Sequence, residues 1–509
     1  MKLTELLACL PDSPPYHGVD VDVTDIAYDS RRVRPGSLFV AVWHQGYAAD
    51  RHDYVQAAFA AGAVAAVVQH PVAAPDGVPI IQVPDSASAL GWLSAGFHHM
   101  PSSRLGLVGV TGTDGKTTTS TMTTVVLEAA GFLTGMVTTV ASKATGAVQE
   151  NQAHTSTPEA PELQSLLANT VAQGGRRAVV ESTSHALHQR RLVGCEFDVA
   201  VVTRVTHEHL DYHGTWDEYL HAKSLLLDLL TPNLTYPKRE RVGKAAVLNV
   251  DDISYGPMAR RSRAPVVSYG VEHDASIRAH DVLSTAWSTE ARVSSPWGSG
   301  RLKLQVPGAF NVYNALAAIG AACSLGAPFQ TALAALEQYQ GVAGRMQRVD
   351  LGQPFGVIVD YAHTPDSLER VLRFLRDQTQ GRVIVVFGCA GERDRQKRPW
   401  MGRIAATLSD FFILTDEDPR LEDRTLIIQE IARGAIDAGA KEGQHFVRVP
   451  DRADAITAAF RRAVPHDTVL LAGKGHEKSI IGSENGKLVT YPWDEQAAAA
   501  GALHALGYG

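Results

Sequence analysis

Residues 105–119, L-G-L-V-G-V-T-G-T-D-G-K-T-T-T, constrain this chain more than any other stretch. The apolar, β-branched opening at 105–110 predicts a buried strand, and residues 117–130 predict a helix. Between them lies a Gly/Thr loop. A strand that empties through such a loop into a helix N-terminus presents backbone N–H groups to an anion, an arrangement suited to polyphosphate. Gly112, Thr113, Gly115, Lys116, Thr117 and Thr118 form the expected cradle. Lys116 would reach the β- and γ-phosphates as a point charge, and the Thr117 hydroxyl would sit on Mg²⁺. Gly109 precedes Gly115 by six residues, where the standard phosphate loop has five, and position 110 is Val. A plain Gly/Thr turn could imitate part of this pattern, but strand, Gly-Lys-Thr and helix together point to a nucleotide.

A chain of 509 residues has room for about three domains. The pattern divides it at 1–102, 103–341 and 342–509, all α/β. In the first segment, strands are expected at 39–43, 64–69 and 80–83 and a helix at 54–61; Asp29-Ser30-Arg31 reads as a turn. In the second, the strands at 178–181 and 197–203 run into Glu181, His185 and the polar stretch 206–214, and 246–252 reads as a strand ending in acids. Acids and histidines at strand C-termini face the crevice where open parallel sheets bind ligands. Residues 239–244 read as surface loop, 287–301 as antiparallel strand and 311–325 as an amphipathic helix. In the third, strands at 357–360, 383–387, 412–415 and 469–472 alternate with helical stretches, a second doubly wound, Rossmann-like unit. Each of these strands runs into a loop rich in charge.

The 45% apolar and 20% charged composition is ordinary for a globular protein, and the net charge of −7 offers no basic footprint for nucleic acid or a membrane surface. Cys9, Cys195, Cys323 and Cys389 lack metal-ligand spacing and read as reduced thiols. The N-terminal run carries an acid and does not read as a signal peptide. No apolar stretch nears the roughly 20 residues that span a bilayer. A cytoplasmic monomer is expected.

Along some 370 residues the motifs resemble, in order, those of the ATP-dependent Mur ligases of peptidoglycan synthesis. They are Gly109-x-Thr-Gly-Thr-x-Gly-Lys-Thr117, Thr157-Pro-Glu159, Glu181-x-x-Ser-His185, His209-Leu-Asp-Tyr-His-Gly214 and Gly308-x-Phe-Asn-Val-x-Asn314, followed by Gly344-Arg-Met346, Asp360-Tyr-Ala-His-Thr-Pro365, Arg393-Asp394, Lys397-Arg-Pro399 and Gly473-Lys-Gly-His-Glu477. The likeness is to the members that add the third amino acid to UDP-N-acetylmuramoyl-L-alanyl-D-glutamate, and the six-residue glycine spacing is what this family shows.

The resemblance implies a central ATP domain, a first domain for the UDP-sugar and a third for the incoming diamino acid. It implies Thr117, Glu181, His209 and Lys223 in the magnesium shell, with Lys223 carbamylated; taken by itself, Lys223 is an exposed helical lysine. Lys116, Glu181, His209 and Lys223 are then the catalytic set. Asn311, Arg345, Asp360 and His363 correspond to nucleotide contacts. Ser30 corresponds to a uridine-diphosphate contact, and Ser156, Thr157, Thr183, Gln189 and Arg191 to contacts of the muramoyl dipeptide. Thr183-Ser-His185 replaces the usual Ser-Ser-His and keeps a hydroxyl at each place. The amino acid would be read by Arg393, Glu417, Asp418, Pro419, Arg420, Gly473 and Glu477.

Diaminopimelate-adding relatives carry Asp-Asn-Pro-Arg where this chain has Glu417-Asp-Pro-Arg420. The retained Arg420 suits a distal carboxylate and favours diaminopimelate. Asp418 could pair with the distal ammonium of diaminopimelate, or engage Arg420 and leave a site for lysine or ornithine; electrostatics alone leaves both open. Residues 204–208 (R-V-T-H-E, usually N-L-S-R-D) and Gly391-Glu-Arg393 also depart from the family. A folylpolyglutamate or cyanophycin synthetase type would differ at Asp29-Ser-Arg31 and Thr157-Pro-Glu159. A GTPase switch would carry N-K-x-D, which the chain lacks, and a nucleotide-binding pseudoenzyme would have lost a member of the catalytic set.

Overall fold

The computed structural model describes residues 1–11, 15–44, 49–150, 156–206, 208–231, 237–238, 240, 242–285 and 288–509, with the side chains at 150, 210 and 211 excepted. His207, Arg239 and Trp287, which fall in stretches read above, lie outside the described residues.

The described residues form three large sheets and one hairpin. The first sheet is all parallel: β1 (Asp25–Ala27), β2 (Ser37–Val40), β3 (Ala65–Val68) and β4 (Ile80–Gln82), in that spatial order. The central sheet contains β5 (Gly106–Thr111), β6 (Thr134–Val137), β7 (Ala141–Lys143), β8 (Gln149–Glu150), β9 (Arg177–Glu181), β10 (Val199–Val202), β11 (Ala245–Asn249) and β12 (Val266–Gly270). It continues through β13 (Ile277–Ser284), β14 (Thr289–Ser295) and β15 (Gly298–Leu304). Its order is β15-β14-β13-β12-β11-β10-β5-β9-β6-β7-β8, with β5 paired in parallel to both β9 and β10. The chain therefore leaves β5 towards one side of the sheet and returns on the other, which opens a crevice at the C-terminal end of β5. The third sheet is β16 (Gln347–Arg348), β17 (Gly356–Asp360), β18 (Val383–Phe387), β19 (Phe411–Leu414), β20 (Phe446–Arg448) and β21 (Thr468–Ala472), ordered β16-β17-β21-β18-β19-β20. The hairpin pairs β22 (Ser479–Glu484) with β23 (Lys487–Pro492).

Strands β5, β9, β10, β11 and β18 are buried along their whole length, as parallel strands covered on both faces must be, which is why they read as unbroken apolar runs. The expected helix at 311–325 is Ala309–Ser324. It starts earlier because Gly308, at φ +99°, makes the turn into it. Its small residues let it lie close on the sheet: a Cβ at Gly320 would stand 2.9 Å from the Val247 and Ile277 side chains. Strand β13 and the β22–β23 hairpin were not legible in the sequence. Most of their side chains are partly or fully exposed, so neither shows a clean apolar alternation.

In the third domain, Phe412 of β19 and Phe446 of β20 are register partners whose rings stack at 5.0 Å and 8° inside the core. Phe412→Ala should destabilise the third domain by about 3–5 kcal/mol. Urea unfolding followed by hydrogen exchange in β18–β20 checks this; an unchanged transition would show that the stack is not a stability determinant.

Candidate functional site: one cleft between two sheets

Strand β5 ends at Thr111, and the helix Lys116–Ala129 begins five residues on. The loop between them depends on two glycines. Gly112 (φ +143°) and Gly115 (φ +80°) hold left-side backbone, and a Cβ on them would stand 1.9 Å from Thr203 Oγ1 and 2.4 Å from Asn314 Oδ1. Lys116 Nζ donates to the Thr113 carbonyl at 2.6 Å. The buried Thr117 hydroxyl donates to Glu181 at 3.0 Å. Glu181 closes β9 and also accepts from the Thr139 N–H and hydroxyl at 3.0 and 2.8 Å.

Lys223 is 1% exposed, not a surface lysine. In the helix Trp216–Asp228 it shares the inward face with Tyr219, Ala222, Leu226 and Leu227. Its amine lies 4.2 Å over the Tyr219 ring and donates to the Gly112 carbonyl at 2.7 Å. Burial, with the like charge of Lys116, pushes its pKa well below that of an ordinary lysine. His209, at φ +55°, presents a half-exposed ring edge-on to His185 at 4.7 Å.

Glu208 is the site residue that the sequence reading passed over as a mere departure from family pattern. Its carboxylate accepts from the Tyr219 hydroxyl at 3.2 Å and lies 3.8 Å from His209 and 3.9 Å from His363. Burial would raise its pKa, but His209, Lys116, His363 and Lys223 hold it down at about 2. The Thr117 hydroxyl and the Glu181 carboxylate, 3.0 Å apart, are hard oxygen donors of the kind a magnesium ion takes.

Beside Glu181 lies a second cluster. The Thr157 hydroxyl donates to the Glu181 carbonyl at 2.7 Å and lies 3.3 Å from the Thr183 hydroxyl. Thr183 caps the short helix Ser184–His188. Arg191 donates to the Thr157 carbonyl at 3.0 Å and to Gln189 at 2.5 Å, and pairs with Glu159 at 3.0 Å. Ser156 lines the same cleft. Ser30 stands apart in the first domain, opening the short turn Ser30–Arg32 that Asp29 caps.

The cleft, about 1380 Å³, runs between the C-terminal ends of the central and third sheets. Its third-domain wall carries Arg345, Asp360 and His363. Asp360 accepts from the Met346 and Ala362 N–H groups at 2.7 and 2.8 Å, and burial raises its pKa. The Arg345 guanidinium lies 4.5 Å from the Tyr361 ring, and its Nε is buried without a hydrogen-bond partner among the described residues. His363 is pushed down to about 4 by burial and by Lys397. Asn311, at the root of the second wall, is tied to the Pro307 carbonyl at 2.7 Å. Gly344 (φ +68°) can only be glycine: a Cβ there would stand 2.2 Å from the His476 nitrogen.

Further along, Arg393 is exposed at the cleft edge, and Glu417 is buried with Oε2 lacking a hydrogen-bond partner among the described residues. Pro419 and Arg420 (φ +57°) follow, with Arg420 Nε likewise unpartnered. Gly473 (φ +104°) brings the chain within 3.7 Å of the Glu417 carboxyl, measured to a Cβ built on it. Glu477 accepts from the Tyr361 hydroxyl at 3.2 Å and from Lys474 at 2.5 Å. Asp418 has a partner that neither sequence alternative supplied: it accepts from Lys474 Nζ and from the Ile481 N–H, both at 2.9 Å.

A phosphate loop on one wall, two polar clusters along the cleft and a lysine buried beside the loop are the parts a P-loop ligase needs. The comparisons with known proteins say which. The Mur ligase middle domain matches residues 110–322, the glutamate ligase domain of Mur ligases residues 344–475, and the Mur ligase family catalytic domain residues 22–98. The chain belongs to the Mur ligase family. It is 47% identical to UDP-N-acetylmuramyl-tripeptide synthetase of Roseiflexus sp. (strain RS-1), over all of both chains. It is 40% identical to UDP-N-acetylmuramoyl-L-alanyl-D-glutamate--2,6-diaminopimelate ligase of Bacillus licheniformis, over 99% of each. A solved structure of a ligase of that second name superposes over the full length of both chains with a TM-score of 0.67 at 28% identity.

The two walls touch through charge. Asp114, inside the phosphate loop, pairs at 2.8 Å with Arg370 of the helix Pro365–Gln378, which also binds Asp366. Arg370→Met should open the cleft, read as a larger radius of gyration in small-angle scattering at low salt. Arg373→Met, which removes a pair confined to the same helix, should leave the radius unchanged; equal radii for the two variants would count against Arg370 as a tie.

Proposed function

We propose that this chain joins a diamino acid to the D-glutamyl residue of UDP-N-acetylmuramoyl-L-alanyl-D-glutamate at the expense of ATP, releasing ADP and phosphate. The observation that carries this reading is the single cleft in which the phosphate loop, the Thr157–Arg191 cluster and the loaded loops of the third domain converge. The reading takes the domains as 1–102, 103–341 and 342–509, each built on one of the large sheets.

A carboxylate resists attack by an amine because its oxygen is a poor leaving group. Transfer of the ATP γ-phosphoryl to the D-glutamyl γ-carboxylate makes an acyl phosphate. The amine then adds to its carbonyl, and phosphate leaves. Both steps crowd anions together, which is where fixed cations contribute most. Lys116 is placed to leave the Thr113 carbonyl for the phosphates, with Gly112, Thr113, Gly115 and Thr118 presenting the loop. Thr117, Glu181, His209 and Lys223 are the residues that would hold Mg²⁺, and the ion would supply charge neutralisation between phosphate and carboxylate.

Lys223 would serve there as a carbamate. Its lowered pKa favours the neutral amine, the form that reacts; the nitrogen lone pair bonds to the carbon of CO₂, one N–H proton is lost, and the side chain gains an anionic oxygen ligand. Thr157, Thr183, Gln189 and Arg191, with Ser156, would seat the dipeptide, and Ser30 the uridine diphosphate. Asn311, Arg345, Asp360 and His363 would frame the nucleotide. Arg393, Glu417, Arg420, Gly473 and Glu477 would receive the amino acid. The unpartnered Arg420 Nε favours a second carboxylate there, hence meso-diaminopimelate over lysine or ornithine. Among the described residues no helix is long and apolar enough to cross a membrane, and the charge of −7 supports neither nucleic-acid nor membrane binding; the reading is of a cytoplasmic monomer.

An equimolar mix of meso-diaminopimelate, L-lysine and L-ornithine, with Mg-ATP and the UDP-dipeptide, should give chiefly the diaminopimelate adduct by product mass. A dominant lysine adduct would overturn the amino-acid assignment and leave the reaction standing. Lys223→Ala should lower turnover about 10²-fold or more, with partial rescue by formate or acetate and little change in ATP affinity. Undiminished turnover would remove the carbamate role.

A further inference from the structure

The segment 203–206, which leaves the C-terminal end of β10, is laced to the phosphate loop. The Thr203 N–H donates to the Thr111 carbonyl at 2.9 Å and its hydroxyl to the Asp114 carbonyl at 2.6 Å. The Arg204 carbonyl accepts the Thr113 N–H at 2.5 Å, and the Thr206 N–H donates to the Thr113 hydroxyl at 2.9 Å. Thr203 and Val205 are buried on either side, while Arg204 is turned outward and lines the cleft. Its backbone is thus fixed beside the phosphate cradle, but its guanidinium is uncommitted. Among the described residues that group makes no hydrogen bond, and the nearest carboxylate, Asp252, stands off at 3.9 Å. Both oxygens of the neighbouring Asp251 are occupied elsewhere, by the N–H groups of Val271, Glu272 and His273 and by the Tyr313 hydroxyl.

We propose that Arg204 binds the α- and β-phosphates of the nucleotide, the part that ATP and ADP share, and so retains ADP after the γ-phosphoryl has left. This rests on the ligase reading above for the direction in which the nucleotide lies. Strand order then says which part of it Arg204 would meet. Thr117 is bonded to Glu181 at the end of β9, on one side of β5; Arg204 follows β10, on the other side. Beyond β10 come the end of β11 and the first turn of the helix Ala309–Ser324, which carries Asn311. A nucleotide with its γ-phosphate at Thr117 and its nucleoside at Asn311 therefore passes Arg204 midway. From β10 onward, the central domain lines the cleft with Glu208, Asp251, Asp252 and Glu272, and Arg204 is the single lysine or arginine among the described residues there. Without it, a polyphosphate would cross a stretch of acids alone. The planar guanidinium suits two phosphate oxygens, and little is lost when it leaves so loose and half-exposed a partner as Asp252.

The test is titration calorimetry on the full chain with Mg-ADP, the magnesium complex of a non-hydrolysable ATP analogue, and adenosine. Arg204→Asn places there the residue usual in the family. It should weaken ADP and the ATP analogue alike, by about tenfold or more, and leave adenosine within about twofold, which also shows that the variant is folded. Arg204→Lys keeps the charge without the fork and should recover part of the loss. A loss confined to the ATP analogue would put the guanidinium on the γ-phosphate and overturn the inference. A loss that extends equally to adenosine would put it on the nucleoside and do the same. Unchanged affinities for all three would leave Arg204 a partner of Asp252 only, and again overturn it. If the unsubstituted chain binds neither nucleotide, the ligase reading fails and the inference with it. If it binds ADP but forms no adduct with any of the three amino acids, the ligase reading fails alone and the affinities still decide the inference.

Discussion

Two lysines held close to one loop are the constraint on which the rest of the site depends. Lys116 and Lys223 both donate to carbonyls of the phosphate loop, at Thr113 and Gly112, rather than to carboxylates. Removal from water and the like charge of Lys116 both lower the tendency of Lys223 to carry charge. Such a pair is tolerable only where acids lie nearby without bonding to it directly. Glu208 and Glu181 do this: Glu208 is held ionised by its cationic surroundings, and Glu181 is fixed by two threonines. The result is a site whose positive and negative groups are separated by fixed distances instead of collapsed into ion pairs, which leaves them available to polyphosphate and metal.

The third domain is arranged on the opposite plan. Its charges near the pocket are largely spent on one another. Arg398, fully buried, binds Glu422, Glu430 and the Ala390 carbonyl. Arg452, also fully buried, is bidentate to Glu495 and donates to the carbonyls of Asp416 and Ala472, the residues just before Glu417 and Gly473. With Lys474, these buried cations fix three loops from behind, at sites where removal of either partner would strand a charge. On the cleft side, Glu417 Oε2 and Arg420 Nε have no hydrogen-bond partner among the described residues. Specificity in such a pocket is set as much by which charges are already paired as by which residues are present.

This separation also explains what was legible in the sequence. The phosphate loop was readable because its signal is local: strand, glycines, lysine and helix N-terminus lie within 15 residues. The sheet strands were readable because full burial leaves an unbroken apolar run. Lys223 was readable only by likeness, although its helix face, Tyr219 to Leu227, carries the reason for its burial. Glu208 was missed because, beyond its neighbour His209, its environment comes from three separate segments, the 116, 223 and 363 regions. The partner of Asp418 lies 56 residues further on, and pairing the two requires knowing that β21 inserts between β17 and β18. No spacing rule supplies that order.

The tie between Asp114 and Arg370 joins these two plans. An aspartate inside a phosphate loop opposes the binding of polyphosphate unless its charge is offset, and here the offset comes from the other domain. Such a tie would couple nucleotide binding to domain approach, since a third domain drawn away would take Arg370 from Asp114. The same approach brings Arg345 and His363 to the side of Lys116 and Glu208. An acyl phosphate needs that enclosure, because water in the cleft would compete with the amine for its carbonyl. The charge that would penalise ATP in an open cleft is thus the one that pairs across the cleft with Arg370.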